Sequence, residues 1–272
     1  MAKRLMQAGL ALSVWNRSVE KTAPFSKLGA EIAVTPASCA KGADIICLCL
    51  TDAGAVEDVI FGPNGVAETV RDGAIVLDFS TIGVDATRLM AERLHKLCNA
   101  CWMDAPVSGG QMGAAKGKLV VFCGGSEADL ARVAPVLALL STRSSLMGDV
   151  GAGQAAKLCN QLIVSANLVA IAEAMALGRT LGVQLSQLPE ALKGGFADSL
   201  PLQIFGPLMV NGPDHTIRGQ LGTMLKDLHA VRGAASVLAL PLFDATVNRY
   251  EKAVYCGLKY EDLSSIYQLY KE

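Results

Sequence analysis

"ADIICLCL", residues 43–50, decides the fold. The run is apolar almost throughout, with Gly42 before it and Thr51-Asp52 after it. A strand with one wet face alternates apolar and polar residues. A short run without alternation suits a strand covered on both faces of a parallel sheet. "AIVLDF" (74–79) has the same character, and "ACWMDAPV" (100–107) and "LVVFCGG" (119–125) read as two more strands. "ALSVW" (11–15) is a further strand-like run near the start. Helical patterns lie between them, at 56–60 and 86–97. Strands alternating with helices predict right-handed β-α-β units and a doubly wound parallel sheet.

After Gly153 the character changes. Residues 154–182 form one long, Ala-rich helical pattern that stops at Gly182. Further helical segments are predicted at 185–192, 221–237, 242–252 and 260–270, and no strand pattern follows about residue 147. The expected fold class is α/β: a Rossmann-type doubly wound domain over residues 1–150, then an all-α domain over residues 151–272 built on a long interdomain helix. No internal repeat is visible.

The bulk numbers agree with a folded, soluble chain. Of 272 residues, 51% are hydrophobic and 5% aromatic, and the net charge is −1. Without a clustered run of Lys and Arg, nucleic acid is not the expected partner. Charged residues follow Met1 within four positions and no apolar leader region comes after them, so no signal peptide is read. The most apolar long stretch, residues 162–178, is broken by Asn167 and Glu173 and reads as a buried helix rather than a membrane span. Most of the eight cysteines sit inside apolar runs, which fits packed thiols in a reducing cytoplasm. Cys98 and Cys101 form a CxxC near His95, but no second CxxC or HxxxH completes a ligand set. Two packed thiols at a helix-to-strand junction, and no metal, are expected.

The first residues raise a question. "MAKRLMQAG" (1–9) looks like the end of a helix stopping at Gly9, and "VWNRS" (14–18) like the end of a second strand. In a dinucleotide-binding sheet of order 3-2-1-4-5-6 the first strand is central, and its turn carries G-x-G-x-x-G. Neither precedes the helix here. The sequence is expected to begin late by roughly 12–18 residues, the size of a strand and turn in such a unit. The alternative is a fold that lacks this strand and binds nucleotide poorly.

Several stretches carry chemistry. Asn16 and Arg17 follow the second strand, where the adenosine ribose is met; Arg there tolerates a 2′-phosphate and points to NADP over NAD. A solvated turn has the same composition. Leu50, in "CLTD" (49–52), and Thr81, in "DFSTIG" (78–83), end strands at the edge where ligands bind, although Thr81 also suits a helix cap. In "DAPVSGGQMGAAKGKL" (104–119), Gly109 and Gly110 free the backbone after Ser108, so two N–H groups and a hydroxyl make a small site for a carboxylate. A plain Gly-rich turn reads the same way. In "GAGQAAKLCNQ" (151–161), Lys157, Asn160 and Gln161 fall on one helix face. A lysine in an apolar helix is costly to bury without a task or partner; with a lowered pKa it exchanges protons near neutral pH. It also suits a solvated outer face. Lys226 and Asp227, in "LKDL" (225–228), read as a surface ion pair. His215 and His229 show no partner pattern and read as structural.

Together these stretches resemble the β-hydroxyacid dehydrogenase family. "DAPVSGG…A..GKL", "GAGQAAKLCNQ" and "LKDL", at these separations, are a specific combination, and the resemblance runs from "VWNRS" to "YEDLSSIY" (260–267). It implies an NAD(P)-dependent oxidoreductase acting on a short β-hydroxy acid or semialdehyde, as a homodimer or homotetramer. Lys157 is then the catalytic residue. Asn160, Ser108, Gly109 and Gly110 bind substrate, and Asn16, Arg17, Leu50, Thr81, Lys226 and Asp227 contact the cofactor. The "NQ" at 160–161 resembles the 2-hydroxy-3-oxopropionate reductases more than the 3-hydroxyisobutyrate dehydrogenases. L-threonate-type dehydrogenases and glyoxylate or succinic semialdehyde reductases remain alternatives, as does a catalytically impaired binding protein of the same fold. "IRGQLGTM" (217–224) stands where many members place an aromatic residue, which leaves the substrate open. Asp198, Ser199 and Gln203 suit a polyhydroxylated acid, or equally a helix cap at Asp198 or Ser199.

Overall fold

The computed structural model describes residues 1–212, 214 and 216–271. These divide into two compact units, Met1–Lys157 and Leu158–Glu272.

The first unit opens with α1 (Ala2–Gln7), which ends as Gly9 turns left-handed. β1 (Ser13–Val14) pairs in parallel with β2 (Glu31–Ile32), with α2 (Ala23–Ser26) between them. α3 (Pro36–Ala40) starts on a capping box formed by Thr35 and Ser38. β3 (Ile45–Leu48), α4 (Ala53–Phe61), β4 (Ile75–Asp78), α5 (Val84–Cys98) and β5 (Cys101–Asp104) alternate as anticipated, and the strands form a parallel sheet in the order β3-β4-β5. β6 (Val107–Ser108), α6 (Gly110–Lys116), β7 (Leu119–Cys123), α7 (Glu127–Leu140) and β8 (Ser141–Leu146) follow. β6 runs antiparallel to β7, and β8 parallel to it.

Burial explains the unbroken apolar runs. Every residue of β4 is buried. Ile75 and Leu77 pack with Leu5 of α1 and Val133, Leu137 and Leu140 of α7. Val76 packs on the opposite face with Val56 and Ile60 of α4 and Met90 and Leu94 of α5. Helices therefore cover both faces, and neither parity of the strand is left polar.

The sheet falls into separate pieces, β1-β2, β3-β4-β5 and β6-β7-β8, and no strand joins β1 to β3 among the described residues, as expected of a sequence in which the first strand is not found. The antiparallel pairing of β6 with β7 departs from the all-parallel sheet expected. α2, β2, α3, α6, α7 and β8 are absent from the sequence reading. "STRSSL" of β8 carries exposed Thr142 and Arg143 at a sheet margin, so it lacks the apolar signature of a buried strand.

α8 (Ala152–Thr180) crosses the division between the units. By length and composition alone it is apolar enough to cross a membrane. Within the second unit, however, its Leu168, Ala172 and Met175 are fully buried. α9 (Leu188–Leu192), α10 (Leu200–Asn211), α11 (Leu221–Ala234) and α12 (Pro241–Ala253) complete the helical unit. A Cβ on Gly206 of α10 would lie 3.0 Å from the Met175 terminal methyl, so glycine lets these helices close together. The helix expected at 260–270 is a 3-10 segment, Leu263–Tyr270. Buried Asp262 starts it, accepting from Ser264 N and Oγ and from Arg218 N.

Asp78 ends β4 fully buried. Its Oδ1 accepts from Ser80 N at 2.9 Å, while Oδ2 has no partner among the described residues. Burial, with a smaller contribution from Asp104 in register beside it, pushes its pKa from 3.8 up to about 7. An acid that holds its proton more tightly when folded costs nothing below the unfolded pKa. It lowers stability as pH rises from the unfolded towards the folded value. Asp78→Asn keeps the acceptor for Ser80 and cannot ionise. Its melting temperature is expected to match the parent's at pH 4 and exceed it at pH 8. Parallel pH profiles for the two proteins would contradict this account.

Candidate active site

The first turn of α8 is held by the ends of two strands. Asp104, at the end of β5, accepts from Gly151 N through Oδ1 at 2.7 Å and from Gln154 N through Oδ2 at 2.8 Å. First-turn N–H groups have no intrahelical acceptor, and the helix N-terminus favours an anion. Burial pushes the Asp104 pKa up, and these amides pull it back. Gln154 is fully buried. Its Nε2 donates to Ser80 O at 2.8 Å, and its Oε1 accepts from Ile82 N at 3.2 Å and Gly83 N at 3.4 Å. The loop after β4 is thereby fixed to the same turn.

Glycine at 153 is a steric requirement. A Cβ there would come within 2.3 Å of Phe122 O and 2.8 Å of Asp104 Oδ2. Gly151-Ala152-Gly153 has the G-x-G spacing of a phosphate-binding turn, but the Asp104 carboxylate takes its amides instead. Sequence reasoning missed Asp104 and Gln154. The available signal was a carboxylate inside the apolar run "ACWMDAPV" and an amide at a helix start. Buried polar groups of that kind need partners.

Lys157 lies three positions beyond Gln154 on α8 and is only 7% exposed, so the outer-face reading does not hold. In the helical unit, Asn160 Nδ2 donates to Gln161 Oε1 at 2.9 Å, and Gln161 Nε2 to Asp227 Oδ2 at 2.7 Å. Lys226 pairs with Asp227 at 3.3 Å. The ion pair read from "LKDL" is present, but Asp227 is buried rather than on the surface, and it orients the amide that orients Asn160.

The remaining candidates in the first unit follow strand ends. Ser108 closes β6, and Gly109 and Gly110 continue it with φ of 115° and 60°, backbone that favours glycine. Asn16 and Arg17 are exposed just past β1, where Asn16 Oδ1 accepts from Ser18 N. Leu50 N donates to Ser80 Oγ at 2.9 Å, joining the ends of β3 and β4. Thr81 is half-buried, and α5 starts at Gly83 without a side-chain cap, so Thr81 is not capping it. Doubly wound sheets receive ligands at these carboxyl ends. A cation and amide after β1, with a hydroxyl after β4, fit the adenosine and nicotinamide ends of a dinucleotide. A G-x-G-x-x-G turn for the pyrophosphate is not among these residues.

Other features have local explanations. Ser199 caps α10 by accepting from Leu202 N, and Asp198 accepts from Gly194 N and Gln203 Nε2. The capping alternative accounts for all three residues. Cys98 ends α5 and Cys101 opens β5, and burial pushes both thiols up. Exposed His229 meets Glu251 at 3.3 Å. His215 lies outside the described residues.

Comparison with known proteins agrees along the whole chain. Residues 1–148 match the family profile described as the NAD binding domain of 6-phosphogluconate dehydrogenase. Residues 151–270 match that of the NAD-binding domain of NADP-dependent 3-hydroxyisobutyrate dehydrogenase. A 2-hydroxy-3-oxopropionate reductase of Escherichia coli is 35% identical over 79% of this chain and 73% of its own length. Human mitochondrial 3-hydroxyisobutyrate dehydrogenase is 31% identical over 100% of this chain and 83% of its own. The crystal structure of a 3-hydroxyisobutyrate dehydrogenase from Salmonella typhimurium is 30% identical with a TM-score of 0.86, covering 98% of this chain and 94% of that one. The fold and these matches define an NAD(P)-dependent oxidoreductase acting on hydroxy acids. The chain belongs to the β-hydroxyacid dehydrogenase family.

Removing the Asp104 carboxylate leaves two buried amides without an acceptor. Asp104→Ala is expected to lower unfolding free energy by about 2–4 kcal/mol in urea titration, and Asp104→Asn, which keeps one acceptor oxygen, by less. Parent-like stability of Asp104→Ala would show that the carboxylate is not the anchor.

Proposed function

We propose that this enzyme interconverts a short β-hydroxy acid and its semialdehyde, using NADP(H) in preference to NAD(H). One observation carries the reading: a buried lysine, Lys157, one helical turn beyond a start that two strand ends hold in place. The names of the Escherichia coli and human relatives support this substrate class.

When bound, the nicotinamide supplies or accepts the hydride. Lys157 gives a proton to the substrate oxygen as alkoxide charge develops, and the neutral amine takes it back in the oxidative direction. The Ser108 hydroxyl and the Gly109 and Gly110 N–H groups hold the substrate carboxylate. Asn160 orients the substrate, its own amide set by Gln161 and Asp227. Arg17 with Asn16 meets the adenosine ribose and favours a 2′-phosphate; Leu50, Thr81, Lys226 and Asp227 are the other cofactor contacts.

Residues 1–150 act as the dinucleotide domain and 151–272 as the substrate and assembly domain. The enzyme works in the cytoplasm as a homodimer or homotetramer. Ile163 and Leu177 on α8 and Leu181 just past its end support assembly: each is at least 60% exposed, an apolar surface that a second copy would cover.

Lys157→Ala is expected to cut turnover about 10²–10⁴-fold, the usual span for a proton-transfer group, with NADPH affinity by fluorescence titration nearly unchanged. Undiminished turnover would remove Lys157 from the mechanism. NADPH consumption across short semialdehydes, glyoxylate and succinic semialdehyde fixes the substrate. Preference for glyoxylate would replace the β-hydroxy acid reading.

A further inference from the structure

We propose that Ser80 is a positioning residue for the cofactor: its hydroxyl takes the place of a main-chain rung between β3 and β4 and so sets the opening that receives the nicotinamide end. This deepens the dehydrogenase reading and rests on Leu50 and Thr81 being cofactor contacts.

The two strands keep a regular parallel ladder until their ends. Ile45 stands opposite Ile75, and Leu48 opposite Asp78. Ile75 N donates to Asp44 O at 3.0 Å, and Phe79 N to Leu48 O at 2.9 Å. Donors from the two strands of a parallel ladder take turns, so the rung after Phe79 N would run from Leu50 N to Phe79 O. Leu50 N instead donates to Ser80 Oγ at 2.9 Å. A side-chain oxygen reaches further than a carbonyl on the chain itself. The two main chains therefore separate while the donor stays satisfied. Doubly wound sheets receive ligands outside the carboxyl ends of their strands, which is where this separation falls.

Ser80 can act this way because its own main chain is clamped. The residue is 2% exposed. Its N–H donates to Asp78 Oδ1 at 2.9 Å, and its carbonyl accepts from Gln154 Nε2 at 2.8 Å. With the peptide groups on both sides of its Cα held, the side-chain rotamer is the remaining freedom, and the Leu50 N–H fixes it. Gln154 Oε1 also accepts from Ile82 N at 3.2 Å, so the residues on either side of Thr81 hang on one buried amide. Gln154 thus places Thr81, Ser80 places Leu50, and Ser80 belongs to both ties.

A hydroxyl that merely satisfied a buried amide would have the same bond lengths. The two roles differ in which half of the dinucleotide feels its loss. General loosening of the domain weakens every ligand alike. Misplacement of Leu50 weakens the nicotinamide half alone, because Asn16 and Arg17, after β1, meet the adenosine end.

The test is Ser80→Ala in the full chain, titrated calorimetrically with NADPH and with 2′-phospho-ADP-ribose, which lacks the nicotinamide. The Kd for NADPH is expected to rise about three- to tenfold, the span of one neutral hydrogen bond, and the Kd for the fragment to stay the same. The Leu50 amide should exchange with deuterium about tenfold faster, while that of Phe79, on an intact rung, does not change. Equal weakening of both ligands, or unchanged NADPH affinity, would leave a hydroxyl that only stabilises the fold and would overturn the proposal. Unchanged exchange at Leu50 in the variant would overturn it as well. So would rapid exchange of that amide in the unsubstituted protein, a measurement that needs no variant to fold. Failure of the underlying reading looks different: NADPH would bind the unsubstituted protein without slowing exchange at Leu50 or Thr81, and the proposal would fall with it.

Discussion

The structure depends on one carboxylate facing two amides. Asp104 ends β5 inside the first unit and meets the N–H groups of Gly151 and Gln154, which α8 cannot satisfy itself. Each side removes the other's problem. An ionised carboxylate away from water needs donors, and a buried helix start needs acceptors. The contact leaves no room for a side chain at Gly153. Its charge, in register with Asp78 on the neighbouring strand, also helps keep that second carboxyl protonated to near-neutral pH.

The proposed chemistry depends on where that contact leaves the helix. A helix advances about 5.4 Å per turn. Fixing residues 151–154 therefore fixes the height and face at which Lys157 emerges. Gln154 adds a second tie, to Ser80, Ile82 and Gly83, in the loop that also carries Thr81. Further along, Asn160 takes its orientation from Gln161 and Asp227. Lys157 and the Asn160 amide, the proposed proton donor and substrate-orienting group, thus lie on a helix held by buried side chains. Positioning of this kind keeps reactive groups in place without rearrangement during the reaction.

Much of this was legible in the sequence for a physical reason. β4 and β5 are buried on both faces, and β3 and β7 bury one face fully and are apolar on the other, so apolar pressure produces runs that a reader can find. α8 is long and uniformly helical, and Gly182 stops it in sequence and structure alike. β2 is two residues long and β8 is polar, so neither carries that pressure. The carboxylate anchor was not legible because its partners lie 47 and 50 residues away and no local spacing encodes them. The family motifs marked Lys157 and Asn160 through their surroundings. Asp227 was marked too, but its bond to Gln161 appears only once α8 and α11 are seen together.

Amide exchange at the start of α8 tests the central claim most directly. Amides in a helix's first turn ordinarily lack acceptors and exchange rapidly. Bound to Asp104, those of Gly151 and Gln154 are expected to exchange as slowly as Leu77 in the middle of β4, through opening of the whole unit. Exchange at the rate of an exposed turn would mean that the carboxylate does not hold the helix, and the account of how Lys157 is placed would be wrong.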